Sequence, residues 1–81
     1  MARITLIDSR GWELPDFYKM GPDAVDSGQA KALVSDVVTH HISHNKLADV
    51  ETIRVEDSSG AVFDFGRDHW CFWRLLLVRQ G

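Results

Sequence analysis

The tetrapeptide pattern D-S-x-G occurs twice, as Asp8-Ser9-Arg10-Gly11 and as Asp57-Ser58-Ser59-Gly60. Asp and Ser early in a turn hydrogen-bond their own backbone, and Gly supplies the positive φ that returns the chain on itself. Ile4 and Leu6 precede the first copy and Trp12 and Leu14 follow it; Ile53 and Val55 precede the second and Ala61, Phe63 and Phe65 follow. Period-two alternation on both sides of such a turn predicts a β-hairpin at each place. Pro15 lacks a ladder donor and is expected to end the strand begun at Trp12. Residues 16–22 then become a connection that folds Phe17, Tyr18 and Met20 back over the core.

Between the hairpins, Asp26 with Gln29 three residues on forms a capping box, which predicts a helix from Asp26 or Ser27 to about Asn45. Its apolar stripe is Ala30, Leu33, Val34, Val37, Val38 and His41, so one face is expected against the sheet. Asn45 can take the left-handed conformation that ends a helix, and Lys46 suits its negative end. The segment Asp68 to Gln80 is apolar on both the helical and the strand period. Asp68 as a cap, Trp70, Trp73 and Leu77 on one face, and Arg79 in the last turn favour a helix, with a further strand as the alternative. The expected fold is therefore α+β with the order ββαββα: two hairpins in a small antiparallel sheet, a long central helix and a short C-terminal helix. The two halves form an imperfect internal repeat.

The run Ile53-Arg54-Val55-Glu56-Asp57-Ser58, the turn at Gly60, Val62-Phe63-Asp64-Phe65, and Trp70 with Trp73 on a short final helix resemble the C-terminal part of a small actinobacterial domain family of unknown function. Members of that family typically accompany helix-turn-helix regulators. The resemblance implies a hairpin followed by a helix that buries Trp70 and Trp73, and a regulatory, protein-binding role.

A chain of 81 residues has room for one core, so residues 1–81 are expected as one domain. No apolar run reaches the roughly 18 residues of a membrane span, and no secretory n-region and h-region open the sequence, so a cytoplasmic location is expected. The single cysteine, Cys71 between Trp70 and Phe72, excludes an intrachain disulfide and is expected to pack as a small hydrophobe. Net charge is −3, with six Lys/Arg against eleven Asp/Glu in residues 1–64. An acidic body repels the nucleic-acid backbone, so no direct nucleic-acid binding is expected.

Residues with chemical potential are few. His40 and His44 stand at i, i+4 of the expected helix, the spacing at which two imidazoles reach one metal ion. They are the alternative reading, a metal-binding protein; the metalloprotease pattern is excluded because His41 stands where it needs Glu. His41 itself is expected in the core with one hydrogen bond satisfied. The carboxylates fall at turns and caps, and there is no G-x-S-x-G elbow or Gly-rich phosphate loop. No catalytic residue and no cofactor is expected. The most specific feature left is aromatic. A final helix that presents Phe72, Leu75 and Leu76 on one side and Trp70 and Leu77 on the other cannot bury both sides in so small a domain. The expected function is a small non-enzymatic protein-interaction module, a regulator or inhibitor, that contacts a partner protein or a second copy through Trp70, Phe72, Trp73, Leu75 and Leu76.

Overall fold

Both D-S-x-G segments are tight turns between antiparallel strands in the computed structural model, which describes residues 1–70 with the exception of the His44 side chain. Strands β1 (Ala2–Ile7) and β2 (Glu13–Met20) form the first hairpin, and β3 (Thr52–Glu56) and β4 (Val62–Gly66) the second. Between them lie helix α1 (Ser27–His40) and the short helix α2 (His44–Leu47), and residues 67–70 are again helical. β1 and β3 pair antiparallel, giving one four-stranded sheet in the order β2-β1-β3-β4. The α+β class and the order of elements agree with the sequence reading.

Alternation explains the core. Ala2, Ile4 and Leu6 of β1 and Ile53 and Val55 of β3 all face α1 and are buried with its Ala30, Val34, Val37 and Val38. Edge strands are covered on one side only, so their residues on the same face, Leu14, Tyr18, Met20, Phe63 and Phe65, are partly buried. The other face of the sheet carries Arg3, Phe17, Lys19, Arg54, Glu56 and Asp64 around a buried Thr5. Thr5 is 1% exposed, and its hydroxyl meets no hydrogen-bond partner among the described residues.

The β1–β3 register carries a pseudo-twofold axis normal to the sheet. The shift along the chain that takes Asp8 onto Asp57 also takes Arg3 onto Thr52, Thr5 onto Arg54 and Ile7 onto Glu56. Arg3 pairs with Glu56 and Ile7 with Thr52, so each pair is the image of the other, and Thr5 opposite Arg54 lies on the axis. The internal repeat suggested by the two turns is thus a symmetry of the sheet.

Two expectations are corrected. The strand after the first turn does not stop at Pro15 but continues to Met20. From the pair Thr5–Phe17 to the pair Ile7–Glu13, Leu6 alone on β1 faces Leu14, Pro15 and Asp16 on β2. This bulge on an edge strand absorbs the missing amide. Phe17, Tyr18 and Met20 are consequently strand residues, Tyr18 and Met20 on the core face and Phe17 on the other. Helix α1 starts as expected, with Asp26 accepting from the Gln29 amide at 2.8 Å and Gln29 Oε1 accepting from the Asp26 amide at 3.0 Å, but it ends at His40 rather than near Asn45. The amides of His41 and Ile42 both donate to the Val37 carbonyl, and Ser43 caps a new turn by accepting from the Lys46 amide. A continued helix would put His41 at the centre of the buried stripe and Ile42 at its margin. Breaking it exposes the imidazole and buries Ile42, Leu47 and Val50, which is the favourable exchange of a polar ring for aliphatic surface.

Candidate functional site

The two turns share one hydrogen-bond plan. In the first, the Asp8 amide donates to the Trp12 carbonyl at 2.9 Å, Asp8 Oδ1 accepts from the amides of Arg10 and Trp12, and Gly11 has φ +85°. In the second, the Asp57 amide donates to the Ala61 carbonyl at 3.0 Å, Asp57 Oδ1 accepts from the amides of Ser59 and Ala61 and from the Ser59 hydroxyl, and Gly60 has φ +94°. Both carboxyls are held below the ordinary range. The chief cause at Asp8 is the Trp12 amide. At Asp57, brought to about 2, it is the Ser59 hydroxyl, followed by the Val25 amide.

What differs is the second carboxylate oxygen. Asp57 Oδ2 accepts from the Val25 amide at 2.9 Å, and the Ser58 amide donates to the Asp23 carbonyl at 2.8 Å. The chain that leads into α1 is thereby pinned to the second turn, with Val25 buried. Among the described residues the first turn has no such stretch; the residues that the same shift along the chain relates to 23–25, residues 72–74, lie outside them. Asp8 Oδ2 accepts only from the Arg10 guanidinium, at 3.1 Å, and the Ser9 amide has no acceptor among the described residues. A cleft of about 390 Å³ lies between the first turn, Leu14, the end of α2 and Arg67.

Arg67 forms the wall of the cleft and is structural. Its Nη2 donates to the carbonyls of Leu47 and Ala48 at 3.0 Å and of Val50 at 2.6 Å, its Nε donates to Glu51 Oε2 at 3.4 Å, and its guanidinium lies 5.3 Å from the Trp70 ring centroid. One side chain thus gathers the carbonyls around the end of α2, where the Leu47 carbonyl also accepts from the Val50 amide. Nothing in the periodicity of the sequence marks Arg67 for this task; the only local sign is that it follows directly on β4.

The residues expected to act are distributed differently. Trp70 is 1% exposed, part of the core, and its indole N–H donates to the Glu51 carbonyl at 3.2 Å, so it is a lock and not a contact face. Phe72, Trp73, Leu75 and Leu76 lie outside the described residues. His40 ends α1 and His44 begins α2, so the i, i+4 premise of a metal pair on one helix does not hold. His40 is exposed and sits 3.6 Å from Asp36. His41 is exposed too, its ring 5.3 Å from that of Tyr18, whose hydroxyl donates to the His41 carbonyl. Among the described residues no group of three His, Cys, Asp or Glu could hold a metal ion, and no helix is long and apolar enough to cross a membrane.

The exposed aromatics are elsewhere. Trp12 is 67% exposed at the end of the first turn, with the Arg10 guanidinium 5.1 Å from its ring. The corresponding residues at the second turn are Ala61 and Ser59. Phe17, 47% exposed, lies under the Arg3 guanidinium at 4.3 Å on the open face of the sheet. The chain matches no protein-family model, no curated protein and no solved structure.

Proposed function

We propose that this protein is a small, non-enzymatic protein-interaction module of the cytoplasm that regulates or inhibits a partner by binding it, with the first turn and its cleft as the contact surface. The observation that supports this reading is Trp12. A tryptophan buries about 150 to 250 Å² of surface when it finds a partner, and it is among the residue types that dominate binding hot spots. Here it stands 67% exposed at the first turn, whereas the second turn carries Ala61 in its place. Arg10 beside it adds a cation–π contact and a polar rim. The regulatory part of the proposal follows the resemblance of the C-terminal third.

Trp12→Ala tests this reading. Being exposed, Trp12 contributes little to folding, and the variant should keep its stability within about 0.5 kcal/mol of the parent. A partner retained by the tagged protein, or a self-association seen as concentration-dependent sedimentation, should weaken by tenfold or more, because hot-spot truncation costs about 2 kcal/mol or more. Undiminished association of a folded Trp12→Ala variant removes the first turn as the contact surface.

A further inference from the structure

We propose that the outer face of the sheet, turned away from α1, is a contact surface for a second copy of this chain, the two sheets packing face to face about a twofold axis parallel to the strands. This surface is separate from the first turn and does not depend on the contact assigned to Trp12. The strand register carries it, because it fixes which side chains of that face lie level with one another. One row across the four strands is Lys19, Arg3, Glu56 and Val62; the next is Phe17, Thr5, Arg54 and Asp64. Charge divides along the first row, with two cations on the β2–β1 half and an acid and an exposed valine on the β3–β4 half. The described chain ends at Trp70, which is buried on the opposite face of the sheet with its indole N–H on the Glu51 carbonyl.

The charge pattern selects the occupant, since it is complementary to itself. An axis along the strands keeps each row at its own level and reverses its order, so that β2 of one copy lies over β4 of the other. Arg3 then faces Glu56 of the second copy, and Glu56 faces the second copy's Arg3. In the other row the long Arg54 faces the short Thr5. The ion pair of Arg54 and Asp64, 2.8 Å from Nε to Oδ1, faces Phe17, whose ring already takes the Arg3 guanidinium at 4.3 Å. An axis across the strands would instead set Arg54 on Arg54 and Asp64 on Asp64, like charges at the centre of the contact. Packed sheets stand about 10 Å apart, a gap that Arg and Glu side chains span between them. Strands β3 and β4 have five residues each, so the face measures about 20 by 17 Å and two copies bury about 700 Å². Stable interfaces bury roughly 1,200 Å² or more, so this dimer is weak and forms at high protein concentration.

The test is sedimentation equilibrium of the full chain at low salt, from about 20 μM to about 1 mM. The average mass should rise toward that of a dimer with concentration and fall back as salt is added. Arg3→Glu and Glu56→Arg should each weaken this association by tenfold or more, because each sets like charges opposite one another in both copies. Arg3 and Glu56 are also neighbours within one sheet, so the two variants are then mixed. In the mixed pair every acid of one copy faces a base of the other, and association should return to at least the parental level, whereas a defect confined to each sheet would not be repaired by mixing. Trp12→Ala should dimerise as the parent does. A parent that stays monomeric at about 1 mM, as it would if residues 71–81 covered this face, overturns the proposal. So does a mixture that associates no more than its components. Association lost in Trp12→Ala but kept in both charge variants would place the self-contact at the first turn, overturning this surface while upholding the other.

Discussion

Two aspartates do most of the local organising. Asp57 gathers the amides of Ser59, Ala61 and Val25 and the Ser59 hydroxyl, four donors on one carboxylate, and these favour the charged form. Its folded pKa of about 2 lies below the ordinary 3.8, so the stability it confers is present above about pH 4 and is lost as pH falls from there toward 2. Asp57→Asn keeps an acceptor for the turn but can present NH₂ to the Val25 amide. The variant should be less stable than the parent at pH 7, and the gap should close as pH is lowered to 2, where the parent protonates as well; urea unfolding at the two pH values measures this. A gap that is unchanged between them would separate the role of Asp57 from its charge. Thr5 is the opposite case, a buried hydroxyl on a central strand that meets no partner among the described residues. Thr5→Val removes an unsatisfied polar group and puts a methyl in its place, and should raise the unfolding free energy by about 1 kcal/mol. A loss of stability would mean that the hydroxyl is satisfied.

At the scale of elements, each boundary that a few neighbouring residues control follows from the sequence, and each that distant residues control does not. The capping box at Asp26 and Gln29 and the positive φ at Gly11 and Gly60 are local, and all are found where the residues place them. The end of α1 is different. Asn45 and Lys46 are adequate stop signals, but the helix breaks before reaching them because the core accepts Ile42 and Leu47 better than His41. Pro15 likewise ends a strand only if its amide is needed; on an edge strand, inside a bulge, it is not. The same break that sends Ile42 inward puts His40 at the end of α1 and His44 at the start of α2.

For the molecule as a whole, the twofold sheet has its second turn docked by residues 23–25, and Arg67 stands beside the first. Its guanidinium holds the end of α2 and the lead into β3 against residues 67–70 and over Trp70. Lysine carries the charge on one ammonium and lacks both the Nε donor that reaches Glu51 and the planar guanidinium beside Trp70. Arg67→Lys should therefore cost about 1 to 3 kcal/mol in denaturant unfolding, since those contacts are lost and the carbonyl contacts are loosened. A cost within about 0.5 kcal/mol, the range of an ordinary surface substitution, would show the clamp to be dispensable.

The sequence by itself determined the two turns, the apolar alternation of the strands that flank them and the start of α1. Those features depend on hydrogen bonds and periodicities contained within a few residues. Only the tertiary structure decided which strands lie at the centre of the sheet, how far β2 runs, where α1 ends, what Arg67 holds and what the second turn docks. Each of those depends on which elements become neighbours. The D-S-x-G turns span both lists: their shape is written in four residues, but whether the remaining carboxylate oxygen and amide are used is set by the segment that the sheet's symmetry brings beside them.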